Sequence, residues 1–299
     1  MSGSAEISSF ASDDARVRIL AAYDRAMESW PEPREERDVQ TGSGTTRVHC
    51  YGTGDGTPVV LLHGQCAAPA EWGPNVAALA EGRTVLAVDR VGEPGYSTQT
   101  APIRTQDATA AWLEEVLAGL GLERAHLVGH SYGGWVALNQ AVRFPGRVAS
   151  VTAYDPPRAL APLKPGFVLG AVAGFVLGEK FQRRWLSRLI GETGASAEVD
   201  EAQARLSLEA MRGFRVRLLP PPGMSDDELR SIAAPVLVML GGGSRVHDAR
   251  RAEARARRLM PDVRTEVVPG AGHGMPVELL NNRVPAFLRE ADHGLAARA

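Results

Sequence analysis

Ala125-His126-Leu127-Val128-Gly129-His130-Ser131-Tyr132-Gly133-Gly134-Trp135 is the stretch from which the rest of the chain can be read. An apolar run, Ala125–Val128, leads into G-x-S-x-G at Gly129–Gly133, and a helical pattern follows from Trp135 to Phe144. A short apolar run of this kind marks a strand buried on both faces. A serine between two glycines at a strand-to-helix turn is held out beyond the sheet edge with its hydroxyl accessible. Gly129 and Gly133 remove the side chains that would collide around it. The N-terminus of the following helix favours negative charge developing there. Ser131 is therefore the candidate nucleophile. A glycine-rich turn with an incidental serine is the plain alternative, and the strand-turn-helix context argues against it.

Working outward, further short apolar runs read as strands at Arg47–Tyr51, Val59–Leu62, Thr84–Val88, Val148–Tyr154, Val236–Leu240 and Thr265–Val268. Helical periodicity separates most of them, as in Thr105–Leu120, where Ala108, Ala111, Trp112, Val116 and Leu120 share one side. Alternating strand and helix implies a mostly parallel, twisted α/β sheet covered on both faces. Val17, Leu20, Tyr23, Met27 and Trp30 form the stripe of an N-terminal helix that Ser12 or Asp13 can cap and Pro31 and Pro33 stop.

Residues 159–222 break the alternation. They hold no convincing strand and are too many for a plain loop, so a helical lid is expected there. The expected division is a flexible N-terminus (1–11), a core (12–158 and 223–290), the lid (159–222) and a C-terminal tail (291–299). Within the lid, Gly166, Gly170, Gly174 and Gly178 recur every fourth residue and FVLG occurs twice. On a helix they make one smooth face that admits close approach. The plain reading is a helix packed on the protein body; the sharper one is an apolar cover for a greasy substrate, or a homodimer contact through the lid. The apolar stretch is about 12 residues, short of the ~20 that span a membrane.

Composition narrows the function classes. The chain has 299 residues, 44% apolar and 23% charged, with net charge −2. That balance argues against a basic nucleic-acid binder and an acidic solvating tail. Two cysteines, Cys50 and Cys66, exclude a disulfide scaffold and a four-cysteine zinc site. The start, MSGSAEISSF, lacks a positive n-region and an apolar h-region, so a cytoplasmic protein with no membrane partner is expected. HExxH is absent, and Gly241-Gly242-Gly243 lacks the Lys-Ser/Thr of a phosphate loop. The arginines between 250 and 258 read as a solvated helix face. No cofactor or metal is expected.

Gly270-Ala271-Gly272-His273-Gly274 follows the last strand. A neutral imidazole there can take the Ser131 proton and return it to a leaving group, and the chain order, nucleophile first and base last, fits. His63 reads as a hydrogen-bonded structural histidine, and Cys66 as a small buried residue.

Together these residues resemble the α/β-hydrolase superfamily over roughly residues 12–290, and more closely the bacterial carboxylesterases of the naproxen-esterase kind. The likeness rests on Ser29-Trp30-Pro31, Leu61-Leu62-His63-Gly64, Trp72-Gly73-Pro74-Asn75-Val76, Val88-Asp89 with Gly92, Asp227-Glu228-Leu229-Arg230-Ser231, and Gly270 to His273. The resemblance implies an oxyanion hole built from the backbone N–H groups of Gln65 and Tyr132. It also implies an acid three residues after a glycine closing the seventh strand. Here that position is Ser244, which cannot carry the charge that orients the base and stabilises its imidazolium.

Three readings of the acid stay open. Asp155, just past the sixth strand in Tyr154-Asp155-Pro156-Pro157, looks like a relocated acid, although a strand-end aspartate in a proline turn would also explain it. Asp248 lies near Ser244 but also suits a helix N-cap. The acid can also be absent, at a cost of ~10⁴-fold in rate. The resemblance implies a serine hydrolase cleaving a carboxylic ester or thioester of a hydrophobic small molecule through an acyl-enzyme. Acyl transfer, lactonisation or another cyclisation is the alternative on the same fold, and a non-catalytic ligand-binding protein is the third.

Overall fold

The computed structural model describes residues 6–274 and 276–296. Eight strands form the main sheet: β1 (Glu35–Thr41), β2 (Gly44–Tyr51), β3 (Gly56–Leu62), β4 (Arg83–Val88), β5 (Ala125–His130), β6 (Val148–Tyr154), β7 (Val236–Gly241) and β8 (Val263–Val268). Their order is β8-β7-β6-β5-β3-β4-β2-β1, and the short strand Thr98–Gln99 pairs with β2. Pairing from β4 through β3 to β8 is parallel, and β2 runs antiparallel to both β1 and β4.

The apolar runs of the central strands β3, β5, β6 and β7 are continuous because these strands bury both faces. In β3, Val60 and Leu62 enter one core while Val59 and Leu61 enter the other. Val236, Val238 and Leu240 of β7 join the first, and Leu237 and Met239 the second. Helices α3 (Gln106–Gly119) and α4 (Tyr132–Arg143) cover the first face with Trp112, Leu113, Trp135 and Leu138, and α8 (Asp226–Arg230) and α9 (Ala249–Leu259) add Leu229, Ala252 and Ala256. The second face is covered by α1 (Asp13–Met27), α2 (Gly73–Leu79) and α10 (Val277–Ala296), through Ile19, Tyr23, Val76, Leu280 and Phe287. Ser12 caps α1 by accepting the N–H of Ala15.

Three parts of the chain depart from the expected elements. β1 was not legible as a strand: its sequence, EERDVQT, is polar and buries only Val39. It is an edge strand held by pairing with β2 and by Arg47, which reaches across to Glu36 and Asp38. At the N-terminus, Ser9–Phe10 is docked as a short strand on Phe214–Arg215, with the Phe10 and Phe214 rings 5.0 Å apart. The expected flexible stretch is thus partly pinned by an aromatic contact, and its first five residues lie outside those described. At the other end α10 continues to Ala296, so the expected tail is helical over most of its length.

The stretch 159–222 carries three helices, α5 (Pro165–Leu177), α6 (Glu179–Ile190) and α7 (Ala197–Gly213), and only the two-residue strand at Phe214–Arg215. The glycine stripe is used at its centre. A Cβ on Gly170 would lie 2.1 Å from Trp185 Nε1, so glycine is what lets α6 approach α5 there. Val168, Leu169, Val172, Val176 and Leu177 of α5 are exposed. Among the described residues no helix is long and apolar enough to cross a membrane.

Candidate active site

The loops that leave the carboxyl ends of the parallel strands converge on Ser131, as expected for an open α/β sheet. β5 ends at His130 and α4 begins at Tyr132, so Ser131 is the whole turn. Its backbone sits at φ 51°, ψ −120°, a strained conformation for a residue with a side chain. The strain is held by the Ser131 N–H donating to the Tyr154 carbonyl at 2.8 Å. The glycines are required by close approach: a Cβ on Gly133 would lie 1.9 Å from the Leu62 carbonyl oxygen, and one on Gly129 would lie 2.3 Å from the Gly133 backbone.

His273 follows β8 and brings its imidazole to the serine. Ser131 Oγ donates to His273 Nε2 at 2.8 Å, and His273 Nδ1 donates to Asp155 Oδ2 at 2.5 Å. Of the three readings of the acid, the geometry favours Asp155. Asp155 follows β6, and β6 lies beside β7, so the position past β6 is next to the position past β7. Asp155 itself sits at φ 47°, with its N–H on the Met239 carbonyl of β7 at 2.8 Å. Asp248 is elsewhere. It is exposed and caps α9 by accepting the N–H of Arg251 at 2.9 Å.

Ser244, in the place where the resemblance implies an acid, donates its hydroxyl to Asp155 Oδ2 at 2.6 Å. The other oxygen, Oδ1, accepts the Gly241 N–H at 3.3 Å and faces His247 Nε2 at 3.2 Å. Burial opposes the ionisation of Asp155, but the His247 and His273 imidazoles outweigh it and hold the carboxyl far below its usual range. His247 is the member of this cluster that sequence reasoning did not supply. The one available signal was a histidine three residues past Ser244, in the loop that leaves β7. Burial lowers the His273 pKa from the ordinary imidazole value, against the pull of the Asp155 carboxylate.

The loop after β3 and the start of α4 meet beside Ser131. A Cβ on Gly64 would lie 3.5 Å from Ser131 Cβ, which places that loop against the serine. Tyr132 opens α4, and the first N–H groups of a helix have no partner within it. Its ring is fixed by the hydroxyl donating to the Leu219 carbonyl at 2.7 Å and by Arg90, whose guanidinium stacks 4.0 Å from the ring centroid. His63 is structural: Nδ1 donates to the Gly64 carbonyl at 2.7 Å, and Nε2 accepts the Arg90 N–H at 3.2 Å. Burial pushes its pKa down to about 3, so it is neutral. Cys66 is half-buried, and burial pushes its thiol pKa up, which leaves it a poor nucleophile. Among the described residues no cluster of side chains is suited to hold a metal ion.

An activated hydroxyl, an imidazole oriented by a buried carboxylate and nearby backbone donors are the parts needed for acyl transfer from an ester. The model of the alpha/beta hydrolase family matches residues 59–282. Over 291 residues the chain is 31% identical to carboxylesterase YbfK of Bacillus subtilis (strain 168), across 93% of this chain and 96% of that protein. The crystal structure of naproxen esterase (carboxylesterase NP) from Bacillus subtilis aligns with a TM-score of 0.84 at 28% identity, covering 92% of this chain and 99% of that one. Carboxylesterase CesB (YbfK) from Bacillus subtilis aligns with a TM-score of 0.83 at 30% identity, covering 92% and 98%.

Proposed function

The chain belongs to the alpha/beta hydrolase family and is a carboxylesterase-like member of it, and on that premise we propose that it cleaves a carboxylic ester or thioester of a hydrophobic small molecule through an acyl-enzyme on Ser131. The observation that carries this reading is the unbroken chain from Ser131 Oγ to His273 Nε2 (2.8 Å) and from His273 Nδ1 to Asp155 Oδ2 (2.5 Å). His273 takes the hydroxyl proton as Ser131 attacks the carbonyl, then returns it to the leaving group. Asp155 holds the imidazole in the tautomer that presents Nε2 to the serine and stabilises the imidazolium. The N–H groups of Gln65 and Tyr132 take the developing oxyanion. Water, deprotonated by His273, then releases the acid.

With Asp155 in reach of His273, the serine at position 244 no longer favours acyl transfer to another acceptor or binding without turnover. The hydrophobic substrate is supported by α5 and α6. The carbonyls of Leu189 and Ile190, at the end of α6, accept the N–H groups of His273 and Gly274 at 2.9 and 2.8 Å. α5 packs on α6 through Phe167 and Trp185 and presents exposed Leu169, Val172 and Val176. These helices serve as the lid.

Labelling with a fluorophosphonate, read by mass spectrometry, tests the mechanism. The expected adduct is on Ser131 and is lost in His273→Ala. An intact protein that takes no label overturns the reading. A series of p-nitrophenyl esters tests the substrate class, with kcat/KM expected to rise with acyl chain length from acetate to octanoate.

A further inference from the structure

Beside the serine lies a second imidazole and carboxylate that the reaction above does not use. His130 precedes Ser131, and its ring centroid is 4.9 Å from that of His273. His130 Nε2 lies 2.8 Å from the His273 carbonyl oxygen, and Nδ1 lies 3.2 Å from Glu71 Oε2. A carbonyl oxygen only accepts, so Nε2 must carry a hydrogen. The partner of Nδ1 is a carboxylate oxygen, so a proton is needed in that contact as well. Glu71 Oε1 accepts the Gly64 N–H at 2.9 Å, so Glu71 already serves as an acceptor through its other oxygen, and the second proton is assigned to Nδ1.

The contacts run outward to both halves of the catalytic machinery. Through Glu71, His130 holds Gly64, the residue before Gln65. Through its Nε2 it holds the backbone of His273 itself. On the far side of Gln65, Glu93 Oε2 accepts the Cys66 N–H at 3.0 Å, and Arg90 pairs with Glu93 Oε1. The half-buried Glu71 and the buried Glu93 thus take the N–H groups on either side of Gln65, and neither takes the N–H of Gln65.

We propose that His130 is a resident imidazolium and that the His130–Glu71 pair is a positioning device: it fixes the Gly64–Gln65 donor and the His273 loop on either side of Ser131, and it fails when His130 loses its proton. This rests on the reading of Gln65 as an oxyanion donor. The groups facing His130 are Glu71, the His273 ring with Asp155 behind it, the neutral His63 and the Tyr154 ring. Burial opposes its charge, but the Glu71 carboxylate, with the His273 carbonyl and the Asp155 carboxylate, outweighs it and raises its pKa above the ordinary imidazole value. On the alkaline side the proton leaves, and two lone pairs face each other across the Nδ1–Oε2 contact. The Gly64–Gln65 loop loses its anchor and the rate falls.

Glu71→Gln separates the proton from the hydrogen bonds. A glutamine can accept the Gly64 N–H with its oxygen and donate its amide to a neutral Nδ1, so the contacts survive without the extra proton. The test is a ¹⁵N long-range NMR spectrum of the full chain at pH 7, with the His130 signals assigned by their loss in His130→Gln. The expected result is two protonated ring nitrogens in the wild type and one in Glu71→Gln. A single protonated nitrogen in the wild type overturns the proposal. In kinetics, Glu71→Ala is expected to lower kcat by ~10²-fold with KM within a few-fold, the scale of losing one oxyanion donor. Glu71→Gln is expected to keep at least tenfold more kcat than Glu71→Ala, and to lack the alkaline limb of the wild-type profile. An identical alkaline limb in both proteins overturns the positioning role. Failure of Ser131 to take a fluorophosphonate in the wild type would instead remove the acyl-enzyme reading, whatever the state of His130.

Discussion

Ser244 Oγ donates to Asp155 Oδ2 at 2.6 Å, on the same carboxylate oxygen that takes the His273 Nδ1 hydrogen. The residue in the expected place of the acid therefore supports an acid brought in from the neighbouring strand. The backbone N–H groups of Gly241 and Val246 complete this arrangement, one on Asp155 and one on Ser244 Oγ.

Asp155→Asn should remove the charge that stabilises the His273 imidazolium and lower kcat by ~10⁴-fold. Asp248→Asn, which alters only an exposed helix cap, should leave kcat within about twofold. Steady-state kinetics on a soluble ester compares them, and the opposite ranking would refute the assignment of the acid.

Ser244→Ala should cost less, because Asp155 keeps His273 and His247 as partners. Losing one hydrogen bond to a buried carboxylate is worth about 1.5–3 kcal/mol. The expected loss in kcat/KM is about tenfold, together with a measurable fall in Tm. An unchanged kcat/KM would show that the Ser244 hydroxyl does not hold Asp155 in the working enzyme.

The acid limb of the pH–rate profile should lie below the ordinary imidazole value of about 6.5. His273 must be neutral to take the Ser131 proton, and burial lowers its pKa. Activity is thus fully present above that lowered pKa and is lost as the pH falls through it. A profile of kcat/KM for a neutral ester gives the value, and a limb above pH 7 would contradict the lowering of the His273 pKa by burial.

Gly133→Ala should prevent the elbow from forming, since its Cβ would lie 1.9 Å from the Leu62 carbonyl oxygen. Backbone cannot move there without displacing β3, so the expected outcome is insoluble protein, or folded protein with at least ~10³-fold lower kcat. Gly146→Ala meets nothing within 4 Å and is the control, with stability within about 0.5 kcal/mol of wild type. Circular dichroism and thermal unfolding separate the two.

The elbow, the strands around it and the histidine after the last strand were legible in the sequence because each is specified locally. Apolar runs such as Val59–Leu62 mark strands wherever they occur, and Gly129 and Gly133 are dictated by contacts within one turn of chain and its neighbouring strand. β1 was not legible, because an edge strand needs no apolar pattern when pairing holds it. The acid was legible only as three open readings. His247, Glu71 and Glu93 carry no motif, and their meaning lies in partners 92, 59 and 27 positions away: Asp155, His130 and Cys66.

By itself, then, the sequence determined the order of strand and helix, the strained serine and a histidine late enough in the chain to reach it. What only the tertiary structure decided is which carboxylate serves that histidine. Strand order sets β6 beside β7, so a residue after either strand can reach the same imidazole, and nothing in the linear chain distinguishes them. Asp155 is singled out because its backbone is bonded to Met239 and its oxygens are ringed by His273, Ser244, Gly241 and His247. A buried carboxylate stays ionised only where enough donors converge on it, and convergence is a property of the folded chain.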